Sequence, residues 1–362
     1  MSTITSKALS YHNFWDLSLR NVPVSLDIKP HEVVVKVHAV SINPTDIITQ
    51  SISLFFIGSY LKVLGSDFAG EVYKAGARSK FKEGDSIYGF TLNPFSSKGT
   101  FSEYIIVDTK KAIFCDKIPR KMLCEQAAAI PCCTATAYGV LKTAIKRGKK
   151  DYVKGALEGK KLLIIGAGTS VGSYAVEIAK NYMHADNIVV TCGIRSEQKL
   201  EHAGADLCID YHQGNTQNVN EILEFVKLNG KFDLVIDCVR NDFFISYLDS
   251  ILKDPEEGGT ITQVYGSRAM NIESATIFDH ILPSWNYIKY KMLYLLGKFK
   301  FNVSQYKVSH DPTLNVVIRE MWDMGRLDIP IDSIFRGWSQ YDTAMHRVAS
   351  SKAAGKVVCI LD

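Results

Sequence analysis

Short runs of alternating apolar and polar residues dominate the first 120 positions of the chain. The clearest run, Val33–Ser41, alternates toward a β-strand and stops before the breaker pair Asn43-Pro44. Further strand-like runs cover Phe68–Tyr73, Ser86–Phe90 and Phe101–Val107, and glycines separate them. This spacing predicts a compact, mainly β domain with a barrel-like or rolled sheet.

From Glu125 onward the pattern changes to strands that alternate with helices. Helical stretches flank Pro131, and a buried strand is predicted at Lys161–Ile165. Strands and helices then alternate over about 100 residues, which predicts a doubly wound parallel sheet. The tail ends in the strand-like Lys356–Leu361, which we expect to return to the first domain. The elements predicted after Lys161–Ile165 are helix Val171–Tyr182, strand Ile188–Cys192, helix Glu197–Ala203, strand Leu207–Asp210, helix Val219–Leu228, and strands Asp233–Asp237 and Thr260–Val264.

Composition narrows the class of protein further. The chain is 46% apolar and 22% charged, as soluble globular proteins are, which excludes a disordered chain or a coiled-coil rod. The net charge of +4 is too small to indicate nucleic-acid binding. The eight cysteines form no C-x-x-C pair, so we expect reduced thiols in a cytoplasmic protein. Because no secretory apolar core and no stretch of about 18 apolar residues occurs, we expect neither secretion nor a transmembrane helix.

The segment Lys161–Lys180 is the most informative, because a buried strand turns tightly into a helix there. Backbone amides and the positive end of the helix suit the diphosphate of a dinucleotide. The glycines are spaced one residue longer than in G-x-G-x-x-G, and Thr169 takes the middle position of the register that ends at Gly172. The alternative is a turn that holds no ligand. The predicted cofactor contacts in this turn are Ala167, Gly168, Thr169, Ser170, Val171 and Gly172.

The end of the second strand indicates which dinucleotide is used. Asp186 precedes that strand and so lies at the wrong end to bind ribose hydroxyls. At the correct end the chain carries Arg195, Ser196 and, one helical turn later, Lys199, which suit a 2′-phosphate. The sequence therefore predicts NADPH rather than NADH, with a solvated helix start as the alternative.

Runs spread over nearly the whole chain resemble the medium-chain dehydrogenase/reductase superfamily, in its zinc-free quinone-oxidoreductase-like group. Within that group the chain is similar to the fungal YIM-type family, which shares the Thr-Ser-Val form of the turn. No single run is specific, but their order and spacing together are. The matching runs are Val37–Asp46, Gly65–Val72, Phe81–Gly89, Gly99–Tyr104, Thr136–Leu141, Lys161–Lys180, His202–Tyr211 and Ala354–Val358.

The resemblance implies a GroES-like catalytic domain over 1–125, completed by 311–362, and a Rossmann cofactor domain over 126–310. It places the active site in the cleft between the two domains. It also implies that Thr136 and Tyr211 contact the cofactor and that Gly266 lies near the nicotinamide.

The resemblance bears on the catalytic residues as well. Zinc-bearing relatives carry ligands where this chain has Thr45 or Asp46 and Ser66-Asp67, so we expect no metal. Hydride transfer then depends on positioning and on a donor to the developing oxyanion, for which the candidates are Asn43 and Asp46. The alternative is that these two residues form a turn and helix cap. Many quinone reductases have a substrate-facing Tyr where this chain has Ile48.

Two windows of the chain are strongly basic. Leu141–Lys161 carries eight Lys and Arg residues against two acids, and Ile281–His310 carries five Lys, seven aromatic residues and no acid. Lysines beside aromatics suit a peripheral lipid interface, and the alternative is an insertion that faces a cleft or a homodimer partner. The YIM-type resemblance implies association with lipid droplets and mitochondria. No nucleic-acid motif accompanies the charge, so no nucleic-acid partner is expected.

These features predict an NADPH-dependent, zinc-independent oxidoreductase that transfers hydride to a quinone, an enone or a related carbonyl compound. The alternative is a reductase-like protein with little catalysis that acts at lipid-droplet or mitochondrial surfaces. Thr169, Ile48 and Arg240, which replaces a common glycine after the fourth strand, favour that alternative.

Overall fold

The computed structural model divides the chain into two units, each described here by itself. It describes residues 2–12, 16–56, 61–91, 98–146, 148, 151–264 and 283–361. The first unit contains the described residues up to Cys132 and from Ile329 onward, and the second contains those from Cys133 to Asp328. Within the described residues no helix is both long enough and apolar enough to cross a membrane.

Strands and helices follow the order that the sequence patterns predict. The described strands are β1 Thr3–Tyr11, β2 Ser18–Ser25, β3 Glu32–Ile42, β4 Lys62–Val63, β5 Asp67–Ala75, β6 Ser86–Phe90, β7 Tyr104–Asp108, β8 Phe114–Lys117, β9 Lys161–Ile165, β10 Asn187–Cys192, β11 Leu207–Asp210, β12 Leu234–Asp237, β13 Thr260–Val264, β14 Ser304–Tyr306, β15 Ile331–Arg336 and β16 Lys356–Ile360. The described helices are α1 Pro44–Phe56, α2 Cys124–Ala129, α3 Pro131–Ala144, α4 Ser170–Asn181, α5 Glu197–Ala203, α6 Asn215–Asn229, α7 Leu248–Ile251, α8 Trp285–Leu295, α9 Leu314–Asp323 and α10 Tyr341–Ala349.

The first unit is built on a mixed sheet that both ends of the chain complete. Its strands lie in the order β15-β16-β3-β5-β6-β8, with β7 also paired to β3, and a small sheet β2-β1-β4 lies beside them. The long strand β3 is buried along most of its length because it pairs with β5, β7 and β16. Its apolar residues form one core with Phe68, Phe101 and Val357. The tail therefore returns to the first unit, as predicted.

The second unit is a parallel sheet with the strand order β11-β10-β9-β12-β13-β14. Every pairing along this order is parallel, and the order reverses between β9 and β12. Ligands of such sheets bind at the carboxyl ends of the strands, where the order reverses. The predicted fold class, a GroES-like domain with a doubly wound Rossmann domain, is confirmed.

The second unit extends further along the chain than the resemblance implied. Residues 311–328 belong to it, although the resemblance placed 311–362 in the catalytic domain. Hydrogen bonds to α3 explain this assignment: the buried Lys142 Nζ lies 2.8 Å from Asp311 Oδ2, and Tyr138 Oη lies 2.8 Å from Thr313 Oγ1. These bonds are made within the second unit and join the start of α9 to α3.

Several lysines of the first basic window, 141–161, make similar contacts within the protein. Besides Lys142, Lys154 pairs with Glu320 at 2.7 Å and Lys160 with Asp233 at 3.2 Å. Lys161 donates to the carbonyl of Asn229. The paired lysines of this window therefore join elements of the second unit to one another.

Candidate cofactor-binding site

The turn between β9 and α4 has the backbone shape that only glycine allows at its first position. Gly166 adopts φ +77°, and its N–H donates to Thr191 Oγ1 over 2.9 Å. A Cβ on Gly166 would collide with the side chain of Val239, which follows β12. The turn is therefore held between its two neighbouring strands, where the strand order reverses.

Thr169 stabilises this turn from within. It is the N-cap of α4: its Oγ1 accepts a hydrogen bond from Gly172 N–H at 3.1 Å and donates to the Gly166 carbonyl at 2.9 Å. Gly172 lets the helix approach closely, since a Cβ there would lie 2.5 Å from the Gly166 oxygen and 2.6 Å from Ala167 Cα. Thr169 is thus a structural residue of this turn, in which the glycine spacing is one residue longer than usual.

The neighbouring strands bring further predicted contacts to the same edge. A Cβ on Gly168 would lie 3.2 Å from Ser196 Oγ, and one on Gly193 would lie 3.3 Å from the Tyr211 ring. Tyr211 is 44% exposed and stacks on His212, with ring centroids 4.1 Å apart. The carboxyl ends of β9, β10 and β11 therefore bring together Gly168, Ser196 and Tyr211 around one open edge.

His212 is a residue of this edge that sequence reasoning missed. Its Nδ1 lies 2.7 Å from Asp210 Oδ1, and its ring lies beside Gly193. Val239, which packs over Gly166, was missed as well. Neither residue carries a local sequence signal, because both reach the edge only through the order of the strands.

The basic residues predicted for a 2′-phosphate differ in their surroundings. Arg195 is exposed in the short 3₁₀ turn Ile194–Ser196. Lys199 is half-buried, and burial lowers its pKa, whereas the charges of Asp328 and Glu177 raise it. Glu177 is buried on α4, and burial raises its pKa to about 8. Lys199 therefore already has acidic neighbours within the protein, whereas Arg195 faces solvent.

Of two further predicted cofactor contacts, one is buried in α3 and the other lies outside the described residues. Thr136 is buried in α3, within the second unit. Gly266 lies outside the described residues. The carboxyl ends of β12 and β13 instead carry Asp237 and Gln263, joined by a 2.9 Å hydrogen bond from Gln263 Nε2 to Asp237 Oδ2. Burial raises the pKa of Asp237 to about 6.

The predicted catalytic pair lies in the first unit, inside a buried polar network. Asn43 and Asp46 are 2% and 4% exposed, at the junction of β3 and α1. Asp46 accepts from the Asn43 N–H and from Ser66 Oγ, both at 2.8 Å, and Asn43 Nδ2 donates to Asp67 Oδ2 at 2.8 Å. Lys356 Nζ donates to Asn43 Oδ1 at 2.6 Å and to Asp67 Oδ2 at 3.3 Å. Both members of the predicted pair are thus engaged by neighbours, as a turn and helix cap requires.

Asp67 is the centre of this network. Its two oxygens also accept from Ser41 Oγ at 2.9 Å and from the Cys132 N–H at 3.0 Å. Burial raises its pKa, while the charge of Lys356 and the hydrogen bond from Asn43 lower it. Lys356 was missed by sequence reasoning as a site residue, although it lies in the run Ala354–Val358 that carried part of the resemblance.

The donor set of this network does not fit a zinc ion. At the positions where zinc-bearing relatives carry ligands, Asp46 and Asp67 are already bonded to hydroxyl, amide and ammonium donors. A zinc site needs three or four Cys, His or carboxylate groups around one point. Within the described residues no cluster of three such side chains is present.

Comparisons with known proteins agree with this architecture. Residues 29–119 match the family model described as alcohol dehydrogenase GroES-like domain, and residues 203–359 match the one described as zinc-binding dehydrogenase. Protein YIM1-2 of Lachancea thermotolerans is 31% identical over 334 residues, which cover 91% of this chain and 90% of that protein. The chain belongs to the YIM1 family of medium-chain dehydrogenases/reductases. Protein YIM1 of Saccharomyces cerevisiae is 28% identical and covers 98% of both chains.

Solved structures share the fold of this YIM1-family chain at lower identity. A quinone oxidoreductase from Coxiella burnetii is 22% identical with a TM-score of 0.74, covering 99% of this chain and 100% of its own. The CurK enoyl reductase is 17% identical with a TM-score of 0.72, covering 100% of both chains. A mycobacterial protein solved in complex with NADPH is 17% identical with a TM-score of 0.69, covering 99% of this chain and 100% of its own. At these identities the likeness shows a common fold.

Removing the charge of Lys356 tests the polar network of this YIM1-family protein. Lys356→Met keeps the aliphatic stem but leaves Asp67 and Asn43 buried without their cation. We expect the free energy of unfolding to fall by about 3–5 kcal/mol, as when one partner of a buried ion pair is removed. Urea denaturation measures this loss. Lys352→Met, at an exposed position four residues earlier, is the control, and an equal loss in both variants would contradict the role of Lys356.

Glu177 predicts how stability changes with pH. The folded protein keeps a proton on Glu177 up to pH of about 8, whereas the unfolded chain loses it near 4.5. The stability that this proton contributes is complete below 4.5 and decreases as the pH rises toward 8. Between pH 5 and 8.5 we expect the wild type to lose about 4 kcal/mol more unfolding free energy than Glu177→Gln does.

Comparison with Glu177→Gln isolates this group, because Asp46 and Asp237 also titrate from raised pKa values in both proteins. The control is Glu224→Gln, which changes an exposed acid on α6. Parallel pH profiles of the wild type and Glu177→Gln would show that Glu177 is not the titrating group.

Proposed function

We propose that this protein is an NADPH-dependent, zinc-independent oxidoreductase that reduces a quinone, an enone or a related carbonyl compound. The observation that carries the proposal is the capped glycine turn at the point where the parallel sheet reverses its order. Medium-chain membership supports redox chemistry in general, and the quinone oxidoreductase and enoyl reductase that share the fold support this substrate class.

The residues of the turn fit the diphosphate of a dinucleotide. The first N–H groups of a helix lack partners within it, and Thr169 satisfies that of Gly172. The N–H groups of Ser170 and Val171 at the same helix start supply donors and a positive dipole end for an anion. Ala167 and Gly168 add little bulk beside them, so that a phosphate can approach the backbone.

The loop after β10 supplies the preference for a phosphorylated ribose. Arg195 offers an exposed guanidinium, and Ser196 places its hydroxyl beside Gly168. Arg recognises phosphate through paired, charge-assisted hydrogen bonds. Lys199 adds positive potential, part of which its neighbours Glu177 and Asp328 offset. The exposed ring of Tyr211 offers a face to the adenosine end of the cofactor.

When bound, NADPH supplies the hydride, and the protein orients both partners of the transfer. By the resemblance, Thr136 contacts the cofactor and Gly266 belongs to the nicotinamide end of this proposal. Asn43 and Asp46 are assigned to positioning rather than to donating a hydrogen bond to the substrate oxygen. The network around Asp67 already occupies their polar atoms. Because Ile48 stands where many quinone reductases have a substrate-facing Tyr, we favour enones and related carbonyl compounds over quinones.

Titration of the purified protein with NADPH and with NADH, followed by nucleotide fluorescence, tests the cofactor assignment. We expect the wild type to bind NADPH more tightly. Arg195→Ala weakens NADPH binding about tenfold or more by removing a charge-assisted contact, and leaves NADH binding unchanged. Lys199→Ala produces a smaller loss, because its charge is shared with two acids.

The matched control is Lys227→Ala, which removes an exposed cation from the far end of α6. NADPH oxidation with a panel of quinones and enones then measures turnover. Absence of binding at millimolar cofactor would refute the enzyme assignment, and equal losses for both nucleotides would refute the assignment of Arg195 to the 2′-phosphate.

An exposed stripe on α8 favours a second activity, peripheral contact with an anionic lipid surface. Trp285, Met292 and Leu295 are 84%, 52% and 69% exposed, and their spacing places them on one face of the helix. The opposite face packs Tyr287 and Tyr290 against the core of the second unit. Exposed apolar patches of this kind mark interaction surfaces, and Lys side chains beside aromatic residues complement an anionic headgroup layer.

The structure also limits which lysines can serve that surface. Lys300 pairs with Asp254 at 2.7 Å and with Asp249 at 2.9 Å, so its charge is neutralised within the protein. Lys291 donates to Asn302 Oδ1 at 2.6 Å, which keeps its charge. The cations proposed for lipid contact are therefore Lys289, Lys291 and Lys298, rather than all the lysines of 281–310.

Flotation with vesicles tests this contact. We expect binding to vesicles that contain phosphatidylserine and weak binding to pure phosphatidylcholine, because cations near an anionic surface each contribute about 1 kcal/mol. Trp285→Ser combined with Leu295→Ser should reduce the floating fraction severalfold, whereas Leu228→Ser, at a residue 83% exposed on α6, should leave it unchanged. Unchanged flotation of the double variant would refute the lipid contact. The lipid contact would also be refuted if the wild type is a dimer in gel filtration and the double variant is a monomer. That result would assign the stripe to a second copy of the chain.

A further inference from the structure

Two cysteine side chains lie on the same face of the parallel sheet, on adjacent strands that end near the candidate cofactor turn. Cys192 ends β10, and Cys208 lies on the adjacent strand β11. Val190 is the register partner of Cys208, so Cys192 lies two residues further along, on the same face of the sheet. Each thiol affects the acidity of the other, and Cys208 Sγ also donates to the Glu197 carbonyl at 4.0 Å. Cys192 is buried and Cys208 is half-buried, which gives the pair one solvent-facing member.

Cys192 also touches the proposed nucleotide site. Its Cβ is 3.8 Å from the position that a Cβ on Gly168 would occupy. The next residue is Gly193, followed by the turn Ile194–Ser196 that carries the proposed 2′-phosphate contacts. A shift of Cys192 would therefore move both the turn around Gly168 and the loop that begins at Gly193.

The two thiols differ in acidity. The neighbouring Cys208 thiol and burial raise the pKa of Cys192, whereas the neighbouring Cys192 thiol lowers the pKa of Cys208. The half-buried Cys208 is thus the better nucleophile, since the thiolate is the reactive form of cysteine. The arrangement resembles that of redox-sensing cysteines, in which an accessible thiolate lies next to a resolving thiol.

We propose that Cys192 and Cys208 form an oxidisable dithiol whose disulfide disrupts the cofactor loop. The oxidant is a hydroperoxide. The Cys208 thiolate attacks one peroxide oxygen, the O–O bond breaks, and the second oxygen leaves as hydroxide or alkoxide, which takes up a proton to become water or an alcohol. The sulfenic acid on Cys208 is then attacked by the Cys192 sulfur, which loses its proton. The S–S bond forms as water leaves, so the peroxide is reduced by two electrons and the two thiols are oxidised.

The register of the strands explains why this disulfide has a structural effect. Diagonal neighbours on adjacent strands have Cα atoms about 7–8 Å apart, beyond the range of about 4.4–6.8 Å that a disulfide spans. Closing the bond must therefore draw the end of β10 toward β11. That shift displaces Gly193 and Ser196, while a bound nucleotide that packs against Gly168 opposes it.

The consequence for cofactor binding rests on the proposed function, whereas the cross-link itself does not. The wild-type protein is treated with hydrogen peroxide, and peptide mapping identifies the cross-linked pair. We expect one disulfide between the Cys192 and Cys208 peptides, slower to form when NADPH is present. Hydrogen exchange over 193–196 rises on oxidation, NADPH affinity falls about tenfold, and dithiothreitol reverses both effects.

Three variants separate the causes. Cys208→Ser and Cys192→Ser abolish the cross-link, and peroxide no longer changes the NADPH affinity that each variant has before treatment. Cys124→Ser, which removes a half-buried thiol of the first unit, behaves like the wild type. Mapping of the wild type needs no variant, so a variant that fails to fold leaves the test valid.

Absence of the 192–208 disulfide in a reduced protein that binds NADPH would overturn the dithiol and leave the proposed function standing. A disulfide that leaves both hydrogen exchange and NADPH affinity unchanged would overturn the coupling to the loop. If the reduced protein binds no NADPH, the proposed function fails. The peroxide-dependent cross-link and the rise in exchange over 193–196 would then support the dithiol by themselves.

Discussion

The close approach of α4 to the end of β9 is the constraint on which the second unit depends. Gly172 lies against the Gly166 carbonyl at a distance that no side chain would tolerate, and Thr169 locks the two together. This contact aims the start of α4 at the edge where β9, β10 and β11 end. The loop with Ser196, the Tyr211 ring and the Cys192 thiol are arranged around it. The candidate chemistry of this unit is therefore a consequence of one tight turn.

Much of the parallel sheet could be predicted because each of its elements has a strong local pattern. Strands β9, β11 and β13 and helix α5 begin and end where the sequence patterns place them. The predicted strand Phe101–Val107 instead begins at Tyr104, because Phe101 N–H bonds to the Leu64 carbonyl outside the main sheet. Turn residues of the candidate site were predictable for the same reason, since glycine and cap preferences act locally.

Contacts between distant parts of the chain could not be read from local patterns. Lys356 and Asn43 are 313 residues apart in sequence, yet their side chains are bonded. Lys142 and Asp311 pair across 169 residues and extend the second unit beyond the predicted boundary. The same limit applies to charge: the paired lysines of 141–161 join elements of their own unit, whereas exposed aromatic and apolar residues accompany the lysines of α8. Similar windows of sequence thus have different physical roles.

The polar network of the first unit also sets an order of events during synthesis. Asp67 and Asn43 emerge early from the ribosome, but the ammonium group that they bind belongs to β16, close to the end of the chain. Until that strand is made, the N-terminal half of its sheet carries a carboxylate that is costly to bury. The parallel sheet of the second unit is complete in sequence before then. The first unit is therefore finished after the second, and Lys356 marks its completion.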